Sequence, residues 1–124
     1  MRNNFHNLVV GQAGETAASA YISKLGYKVV ELNWRSKQWG EIDIVAVKDN
    51  TLICVEVKSR LSEEFGNPEE AVTKSKVKAL KRTIQYYSTQ HPELPQSLRI
   101  DVVAVILAPG TFRPLSFELF EDAQ

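Results

Sequence analysis

Acidic side chains stand inside two apolar segments of this sequence, and their spacing is the feature with the clearest chemical meaning. Asp43 interrupts the apolar segment 41–47, and Glu56 and Lys58 interrupt the segment 51–58. Aspartate and glutamate are depleted in β-strands and costly to bury, so each carboxylate needs a partner. Because side chains alternate along a strand, Glu56 and Lys58 share a face, and a hairpin paired near its turn brings Asp43 close to Glu56.

Two carboxylates and an amine at one end of a sheet suit metal-dependent hydrolysis of a phosphodiester bond. Hard divalent cations such as Mg²⁺ bind carboxylate oxygens and water, and they keep open positions for phosphate oxygens. Such an ion lowers the pKa of a water nucleophile. A lysine beside it holds that water and stabilises the charge of the transition state. An aspartate followed on the next strand by Glu-x-Lys therefore favours a metal site at Asp43, Glu56 and Lys58.

The structural alternative is that both carboxylates form cross-strand ion pairs on a solvated face of the sheet. The cations available for such pairs are Arg35, Lys37, Lys58 and Arg60. Surface pairs of this kind are common and contribute about 0 to 1 kcal/mol. For the Glu-x-Lys motif by itself this alternative is favoured, whereas the apolar neighbours of Asp43, Ile42 and Ile44, favour the functional interpretation.

Two helices are predicted from the spacing of apolar side chains. The first covers residues 10–25 and ends at Gly26. Its predicted apolar stripe consists of Ala13, Ala17, Tyr21 and Leu25. The second covers residues 73–90, with its apolar face formed by Val77, Leu80, Ile84 and Tyr87.

Strands are predicted where β-branched residues cluster between polar turns. They lie at 27–32, 41–47, 51–58 and 98–107, with an edge strand at 115–120 and polar segments at 33–40 and 59–68. The second and third strands form an antiparallel hairpin, and Ile42, Ile44 and Ala46 are expected on one face of it. The resulting order predicts an α/β fold, in which a mixed sheet is flanked by helices.

Composition limits the class of protein. At 124 residues and 44% hydrophobic content, the chain fits a single domain covering residues 1–124. One cysteine excludes an intramolecular disulfide. The apolar runs are far shorter than the roughly 20 residues of a membrane-spanning helix, and the N-terminus does not read as a signal peptide. A cytoplasmic protein without a membrane partner is therefore expected.

Local charge clusters matter more than the total charge. Fifteen basic and fifteen acidic residues give a net charge of zero, which argues against bulk affinity for nucleic acid. The second helix nevertheless concentrates five cations, which are Lys74, Lys76, Lys78, Lys81 and Arg82. With Lys58 and Arg60, this cluster can form a basic rim that binds phosphate. The alternative is the solvated face of an amphipathic helix.

The polar segment 33–40 mixes aromatic and basic side chains beside the carboxylates. These residues are Trp34, Arg35, Lys37 and Trp39. Such a loop can stack on unpaired bases or wedge a branched DNA junction. In the alternative, one tryptophan packs against the core, and we expect that of Trp39.

Three further positions carry polar or reactive side chains but are not expected to take part in the chemistry. Asp101 interrupts an apolar strand, and Arg99 or a neighbouring backbone group is its expected partner. Cys54 alternates with apolar residues and is expected to be a small buried hydrophobe. His6 lies near the terminus without a cysteine or a second histidine at metal-ligand spacing, so a zinc site is not expected.

Several motifs occur in order along the chain. They are Gly11-Gln12-Ala13-Gly14-Glu15-x-x-Ala18, Gly26-Tyr27, Gly40-Glu41-Ile42-Asp43-Ile44-Val45, Val55-Glu56-Val57-Lys58-Ser59-Arg60, Gly66, Lys76 and Arg99-Ile100-Asp101-Val102-Val103. Over about residues 11–105 they resemble the YraN family of bacterial proteins. That family is similar to the PD-(D/E)XK nuclease superfamily, in particular to archaeal Holliday junction resolvases.

The resemblance implies a fold and a set of roles. The fold is a restriction-endonuclease-like α-β-β-β-α-β core, to which the edge strand would be an addition. Asp43, Glu56 and Lys58 would form the catalytic triad. Glu15 would join Asp43 and Glu56 as a ligand of Mg²⁺ or Mn²⁺, and Lys76 would contact the scissile phosphate.

The first functional hypothesis is a metal-dependent DNA endonuclease of repair or recombination, acting on branched or structured DNA. The residues expected to contact DNA are Arg35, Lys37, Arg60, Lys74 and Lys76. A domain of this size has little surface for a four-way junction, so that substrate would require a homodimer. The second hypothesis is a non-catalytic nucleic-acid-binding or adaptor module that keeps the fold. A third is a protein-interaction role of the hydrophobic and acidic segment 117–122.

Overall fold

Within residues 4–64 and 72–123, which the computed structural model describes, two helices flank a five-stranded sheet. The helices are α1 (Asn4–Lys24) and α2 (Lys74–Gln90). The strands are β1 (Lys28–Ser36), β2 (Gly40–Lys48), β3 (Thr51–Leu61), β4 (Ser97–Leu107) and β5 (Pro114–Phe120). This order confirms the predicted α/β fold, with the restriction-endonuclease-like core and the extra edge strand.

The strands lie in the sheet in chain order, β1-β2-β3-β4-β5. Strands β3 and β4 are parallel, and the other neighbouring pairs are antiparallel. A parallel pair needs a crossover connection, and α2 lies in it. The β2–β3 hairpin turns at Asp49 and Asn50, whose φ angles of 50° and 58° are left-handed. Apart from glycine, asparagine and aspartate are the residues that best tolerate that conformation, so the sequence of the turn fits the hairpin.

Alternating side chains of β3 contribute to two hydrophobic cores, one on each face of the sheet. Ile53 and Val55 pack in the core beneath α1. Leu52 and Cys54 pack in the core beneath α2. Cys54 is fully buried, and burial raises the pKa of its thiol well above the usual value. Its expected role as a small hydrophobe is confirmed.

Helix α1 differs from the prediction in its start and in its buried face. It begins at Asn4 instead of near residue 10. Its buried positions are Val10, Gly14, Ala18 and Ile22. The last three each come one residue after Ala13, Ala17 and Tyr21 of the predicted stripe, which are partly buried against the same core. Apolar spacing missed this face because small residues, including a glycine, let the helix lie close to the sheet. Neither described helix combines the length and apolar character that crossing a membrane demands.

Two strands are longer than predicted, because backbone pairing continues through polar residues. Strand β1 reaches Ser36, with Arg35 paired to Glu41 of β2. Strand β3 reaches Leu61, which pairs with Leu107 of β4, although a polar segment was predicted from residue 59. The rest of that predicted segment, with Gly66 and Pro68, lies outside the described residues.

The face of Ile42 is a correction. Strict alternation places Ile42 with Ile44, but Ile42 packs beneath α2 beside Trp34, whereas Ile44 packs beneath α1. The described pairing of β2 with β3 runs only from Lys48 to Ile44. The strand therefore departs from regular alternation at Asp43, where it separates from β3 while it stays paired with β1.

Segment 117–122, considered above as an interaction tail, belongs largely to the fold. Most of it lies in β5, which pairs with β4. The ring of Phe117 stacks on Tyr21 of α1, with 4.3 Å between the ring centroids. Leu119 also packs against the core beneath α1. Two of the apolar residues that suggested a docking role, Phe117 and Leu119, are thus already partnered within the chain.

Candidate active site

A polar cleft of about 410 Å³ opens where α1, β2, β3 and the first turn of α2 meet. Its described lining consists of His6, Asn7, Val10, Gly11, Glu15, Glu41, Asp43, Glu56, Val57, Lys58, Ser59, Glu64 and Lys76. The three carboxylates predicted as metal ligands therefore lie in one cleft with two of the predicted cations.

Helix α1 brings Glu15 to the cleft. Asn7, Gly11 and Glu15 are spaced by four residues and so share one face of the helix. Gly14, the residue before Glu15, lies directly against β3: a Cβ atom built on it would be 1.6 Å from Ser59 Oγ. Any side chain at position 14 would hold α1 away from β3. The glycine therefore permits the close packing that places Glu15 beside the strand.

Asp43 lies where β2 separates from β3. Its Oδ2 accepts a hydrogen bond from the backbone N–H of Val57 at 2.9 Å. The carboxylate thus takes the place of a ladder contact beyond the Ile44–Val55 pair. Asp43 is also within hydrogen-bonding reach of both Glu15 and Glu56. One bond from the backbone thereby fixes the central carboxylate of the group.

Glu56 is the most buried acidic side chain of the cleft, with 7% of the residue exposed. Its pKa is raised from 4.5 to about 7, first by burial and then by the neighbouring Asp43, while Lys76 and Lys58 act in the opposite direction. Lys76 Nζ lies 3.4 Å from Glu56 Oε2. That oxygen is buried and accepts no hydrogen bond within the described residues. This oxygen thus has a nearby cation but accepts no hydrogen bond from it.

Glu15 shares this electrostatic environment. Burial raises its pKa above the usual value, and Glu41 and Glu56 add to the effect. The hydrogen bond with Asp43 and the charge of Arg35 lower it. Like charges so close together are unfavourable unless protons or cations are shared among them.

The cations of the cleft come from two elements. Lys58 follows Glu56 on the same face of β3. Lys76 lies in the first turn of α2, where the Thr73 side chain caps the helix by accepting a hydrogen bond from the Lys76 N–H at 3.1 Å. Glu56 is thus buried and paired with Lys76, so the solvated pair with Lys58 or Arg60 is wrong.

The other cations expected to bind DNA are spread around the cleft. Arg35 is exposed, and its Nε lies 3.2 Å from Glu41 Oε2 at the rim. Arg60 donates from Nη1 to the Glu64 carbonyl at 2.9 Å. Lys37 is exposed in the β1–β2 turn, and Lys74 is exposed at the start of α2. The described lining of the cleft includes neither of these two lysines nor Arg60.

Asn33 is a residue of this site that the sequence did not indicate. With its amide oriented so that both groups are satisfied, its nitrogen donates to Glu15 Oε1 at 2.9 Å. Its φ of 52° is left-handed, which asparagine tolerates better than most residues. No spacing rule connects it with Glu15. The four-residue spacing of Asn7, Gly11 and Glu15, by contrast, places all three on one face of a helix, and a helix predicted from Asn4 onward would have indicated this.

A hard cation fits the donors of this cleft. In residues 4–64 and 72–123, no three histidine, cysteine or acidic side chains already converge as ligands of one ion. Mg²⁺, however, is usually held by one or two carboxylates and keeps several waters. The buried Oε2 of Glu56, which accepts no hydrogen bond within the described residues, and the carboxylate of Asp43 beside it provide such a pair. Glu15 adds a third oxygen donor nearby.

Two structural expectations had different outcomes. Asp101 is confirmed as a structural residue: it is fully buried, and Arg99 donates to both of its oxygens at 2.8 and 2.9 Å. The expectation that Trp39 packs against the core is wrong. Trp34 packs there instead, edge-on to Tyr87 at 5.2 Å, because it faces α2 from within β1. Trp39 follows in the turn and stays 38% exposed.

The relationship of this chain to known proteins agrees with its motifs. The family model described as "Uncharacterised protein family UPF0102" matches residues 14–105. The chain belongs to the UPF0102 family. This is the YraN family that the sequence motifs indicated, and its match includes Glu15, Asp43, Glu56, Lys58 and Lys76.

Relatives within UPF0102 align over most of their length. The UPF0102 protein of Syntrophomonas wolfei is 39% identical, over 84% of this chain and 90% of the relative. That of Chloroherpeton thalassium is 43% identical, over 82% and 78%. That of Flavobacterium psychrophilum is 37% identical, over 92% of both chains. Their names state the family alone.

Proposed function

We propose that this UPF0102 protein is a divalent-metal-dependent nuclease that hydrolyses phosphodiester bonds in DNA. The observation that carries the proposal is the meeting of Glu15, Asp43 and Glu56 with Lys58 and Lys76 in one cleft. Burial of Glu56 and its unbonded Oε2 are costly for a structural carboxylate. They are useful for one that binds a cation.

The residues divide the chemistry among them. Asp43 and Glu56 would hold Mg²⁺ or Mn²⁺, with Glu15 as a further oxygen donor. The bound ion would lower the pKa of a water and neutralise charge on the phosphate. The Val57 N–H keeps the Asp43 carboxylate oriented. Lys58 would position the attacking water, and Lys76 would contact the phosphate.

The charge of α2 supports DNA as the substrate. The helix contains five lysine and arginine residues and no acidic residue. Its first turn reaches the cleft through Lys76. Cations along one element bind the phosphate backbone without sequence preference and make the affinity sensitive to salt. The fifteen acidic residues of the chain, which bring the net charge to zero, all lie outside α2.

The decisive experiment combines cleavage and metal binding. Purified protein is incubated with Mg²⁺ or Mn²⁺ and a panel of single-stranded, duplex, forked and four-way DNA. We expect metal-dependent cleavage that Asp43→Asn and Glu56→Gln abolish, together with loss of Mn²⁺ binding measured by calorimetry in the presence of non-cleavable DNA. Asp49→Asn, in the exposed β2–β3 turn, is the matched control.

Failure would take a definite form. No cleavage of any substrate, with Mn²⁺ binding unchanged by Asp43→Asn, would refute the proposal. Salt-dependent DNA binding that survives both chelator and Asp43→Asn would then favour the second candidate, a nucleic-acid-binding or adaptor module. The basic surface of α2 is the observation that favours that candidate, since DNA binding by lysine and arginine needs no carboxylate.

A four-way junction as substrate would additionally require a dimer, which sedimentation of the protein with junction DNA would detect.

A further inference from the structure

We propose that Trp39, Tyr86 and Arg82 form a platform that binds an unpaired base of the DNA substrate. The inference rests on the proposed nuclease function and defines its substrate class as DNA with unpaired bases a few nucleotides from the cleaved bond. The platform lies outside the cleft, between the β1–β2 turn and the outer surface of α2.

The geometry of the platform suits a flat ligand. Trp39, Arg82, Gln85, Tyr86 and Thr89 line an open cavity of about 560 Å³. The rings of Trp39 and Tyr86 have centroids 6.1 Å apart and are tilted by 33°. Bases stack on such aromatic faces whatever their sequence, because every base has a π-face.

Trp39 is held in place although its side chain remains exposed. Its backbone N–H donates to Ser36 Oγ at 3.2 Å, and the same hydroxyl accepts from the Gln38 N–H. From the other side, the Thr83 hydroxyl donates to the Trp39 carbonyl. The turn is thus fixed at both ends of the residue while 38% of the tryptophan stays exposed. A rigid aromatic group loses little entropy on binding, which favours a ligand-binding role.

Charge identifies the occupant. Arg82 lines the cavity, and α2 carries no acidic residue. Lys37 is exposed in the same turn as Trp39, and Lys78 is exposed one turn before Arg82. An aromatic surface surrounded by cations matches a strand whose bases stack and whose phosphates are negative. An apolar peptide would gain nothing from these charges.

The distance to the cleft defines which bases are involved. Trp39, in the turn before β2, precedes Asp43 of that strand by four residues, a span of about 13 Å in extended chain. This corresponds to roughly four base steps at 3.4 Å each. Arg82 lies six residues after Lys76 on α2, about 9 Å along the helix axis. An unpaired base on the platform would therefore lie a few nucleotides from a phosphate in the cleft.

The test measures binding without cleavage. In EDTA, fluorescence anisotropy compares a single-stranded DNA, a blunt duplex and a duplex with a single-stranded tail. We expect Trp39→Ala to weaken binding of the first and third by about tenfold and to change blunt-duplex binding by less than twofold. Leu115→Ala is the control, since Leu115 is a 47% exposed apolar residue on β5. Circular dichroism checks that both variants fold.

A second variant gives a direct signal. The chain has two tryptophans, so Trp34→Phe leaves Trp39 as the single tryptophan reporter. We expect single-stranded DNA to quench its fluorescence and blunt duplex to leave it unchanged. Equal weakening of all three DNAs by Trp39→Ala, or an absence of quenching, would overturn the platform.

Failure of the platform and failure of the nuclease are separable. If Trp39→Ala binds tailed DNA like the wild type while Asp43→Asn abolishes cleavage, the platform is wrong and the nuclease stands. If Trp39→Ala loses single-strand affinity in a protein that cleaves nothing, the platform stands as part of a binding module.

Discussion

Lys76 Nζ lies 3.4 Å from Glu56 Oε2, and this ion pair connects the capped first turn of α2 to the most buried acidic residue of the cleft. Lys76 is half exposed, whereas the Glu56 side chain is almost fully buried. The lysine therefore occupies the electrostatic position that a cation bound to Glu56 would take. A metal ion and Lys76 should compete for this carboxylate, and the displaced ammonium would become available to a phosphate.

Replacing Lys76 with methionine should affect metal and DNA in opposite directions. Without DNA, loss of the competing charge should strengthen Mn²⁺ binding by about fivefold, equivalent to about 1 kcal/mol for a partly screened pair. The affinity for DNA should fall, and the slope of its salt dependence should decrease by an amount equivalent to about one phosphate contact. Calorimetry and anisotropy measure the two effects. Lys78→Met, an exposed change on the same helix, should leave Mn²⁺ binding unaltered; weaker Mn²⁺ binding in Lys76→Met would contradict the competition.

The metal-free protein should lose stability as the pH rises. The pKa of Glu56 is about 7 in the folded state and 4.5 in its usual state. Between these values the folded protein binds more protons than the unfolded chain, so the free energy of unfolding falls with pH. The stabilising contribution of Glu56 to the free energy of unfolding is fully present below about pH 4.5, and it is lost as the pH rises through about 7. Glu15, whose pKa is also raised, acts in the same direction.

Thermal melts of the chelated protein between about pH 5 and pH 8 test this dependence. We expect Glu56→Gln to melt with a shallower decrease, because the amide does not ionise. Mn²⁺ should restore the wild-type Tm at the alkaline end, since a ligand of the folded state stabilises it. Parallel Tm–pH profiles for the wild type and Glu56→Gln would contradict this prediction, because they would show that ionisation of Glu56 does not destabilise the folded protein.

Local patterns in the sequence were enough to predict the order of elements and the meeting of three site residues. Alternation places Glu56 and Lys58 on one face, and the left-handed Asp49 and Asn50 close the hairpin that brings Asp43 near them. These relationships involve neighbours on one strand or on adjacent strands. Strand ends were less predictable, because backbone pairing continues through polar residues such as Arg35.

Contacts between distant elements account for what the sequence did not reveal. The ion pair of Lys76 with Glu56 joins the two ends of the β3–α2 crossover. The bond from Asn33 to Glu15 joins β1 to α1. Alternation also fails at Ile42, because β2 separates from β3 at Asp43. None of these follows from a periodicity, since each depends on how one element lies against another.

The buried Asp101 should be essential for stability and irrelevant to the cleft. Tyr27 donates to its Oδ2 at 2.6 Å, and the Asp122 N–H donates to its Oδ1 at 2.9 Å. Tyr27→Phe removes one hydrogen bond to a buried charge and should cost about 2 kcal/mol. Arg99→Met leaves the carboxylate without its counter-charge and should cost about 3 to 5 kcal/mol. Urea unfolding measures both.

Metal binding separates this network from the site. Where Tyr27→Phe is still folded, its Mn²⁺ affinity should equal that of the wild type. A large loss of Mn²⁺ binding in a folded Tyr27→Phe variant would mean that Asp101 acts on the cleft and has more than a structural role.

Gly14 should be the most sensitive position of α1, because a Cβ there would lie 1.6 Å from Ser59 Oγ and 2.7 Å from its Cβ. Gly14→Ala should cost about 1 to 3 kcal/mol through overpacking. It should also weaken Mn²⁺ binding, since moving α1 outward carries Glu15 away from Asp43. Gly11→Ala is the matched control: nothing lies within 4 Å of its added Cβ, so better helix propensity should stabilise the protein by up to about 1 kcal/mol. Adding Ser59→Gly removes both clashing atoms and should recover stability and Mn²⁺ binding together; recovery of neither would show that the contact does not position Glu15.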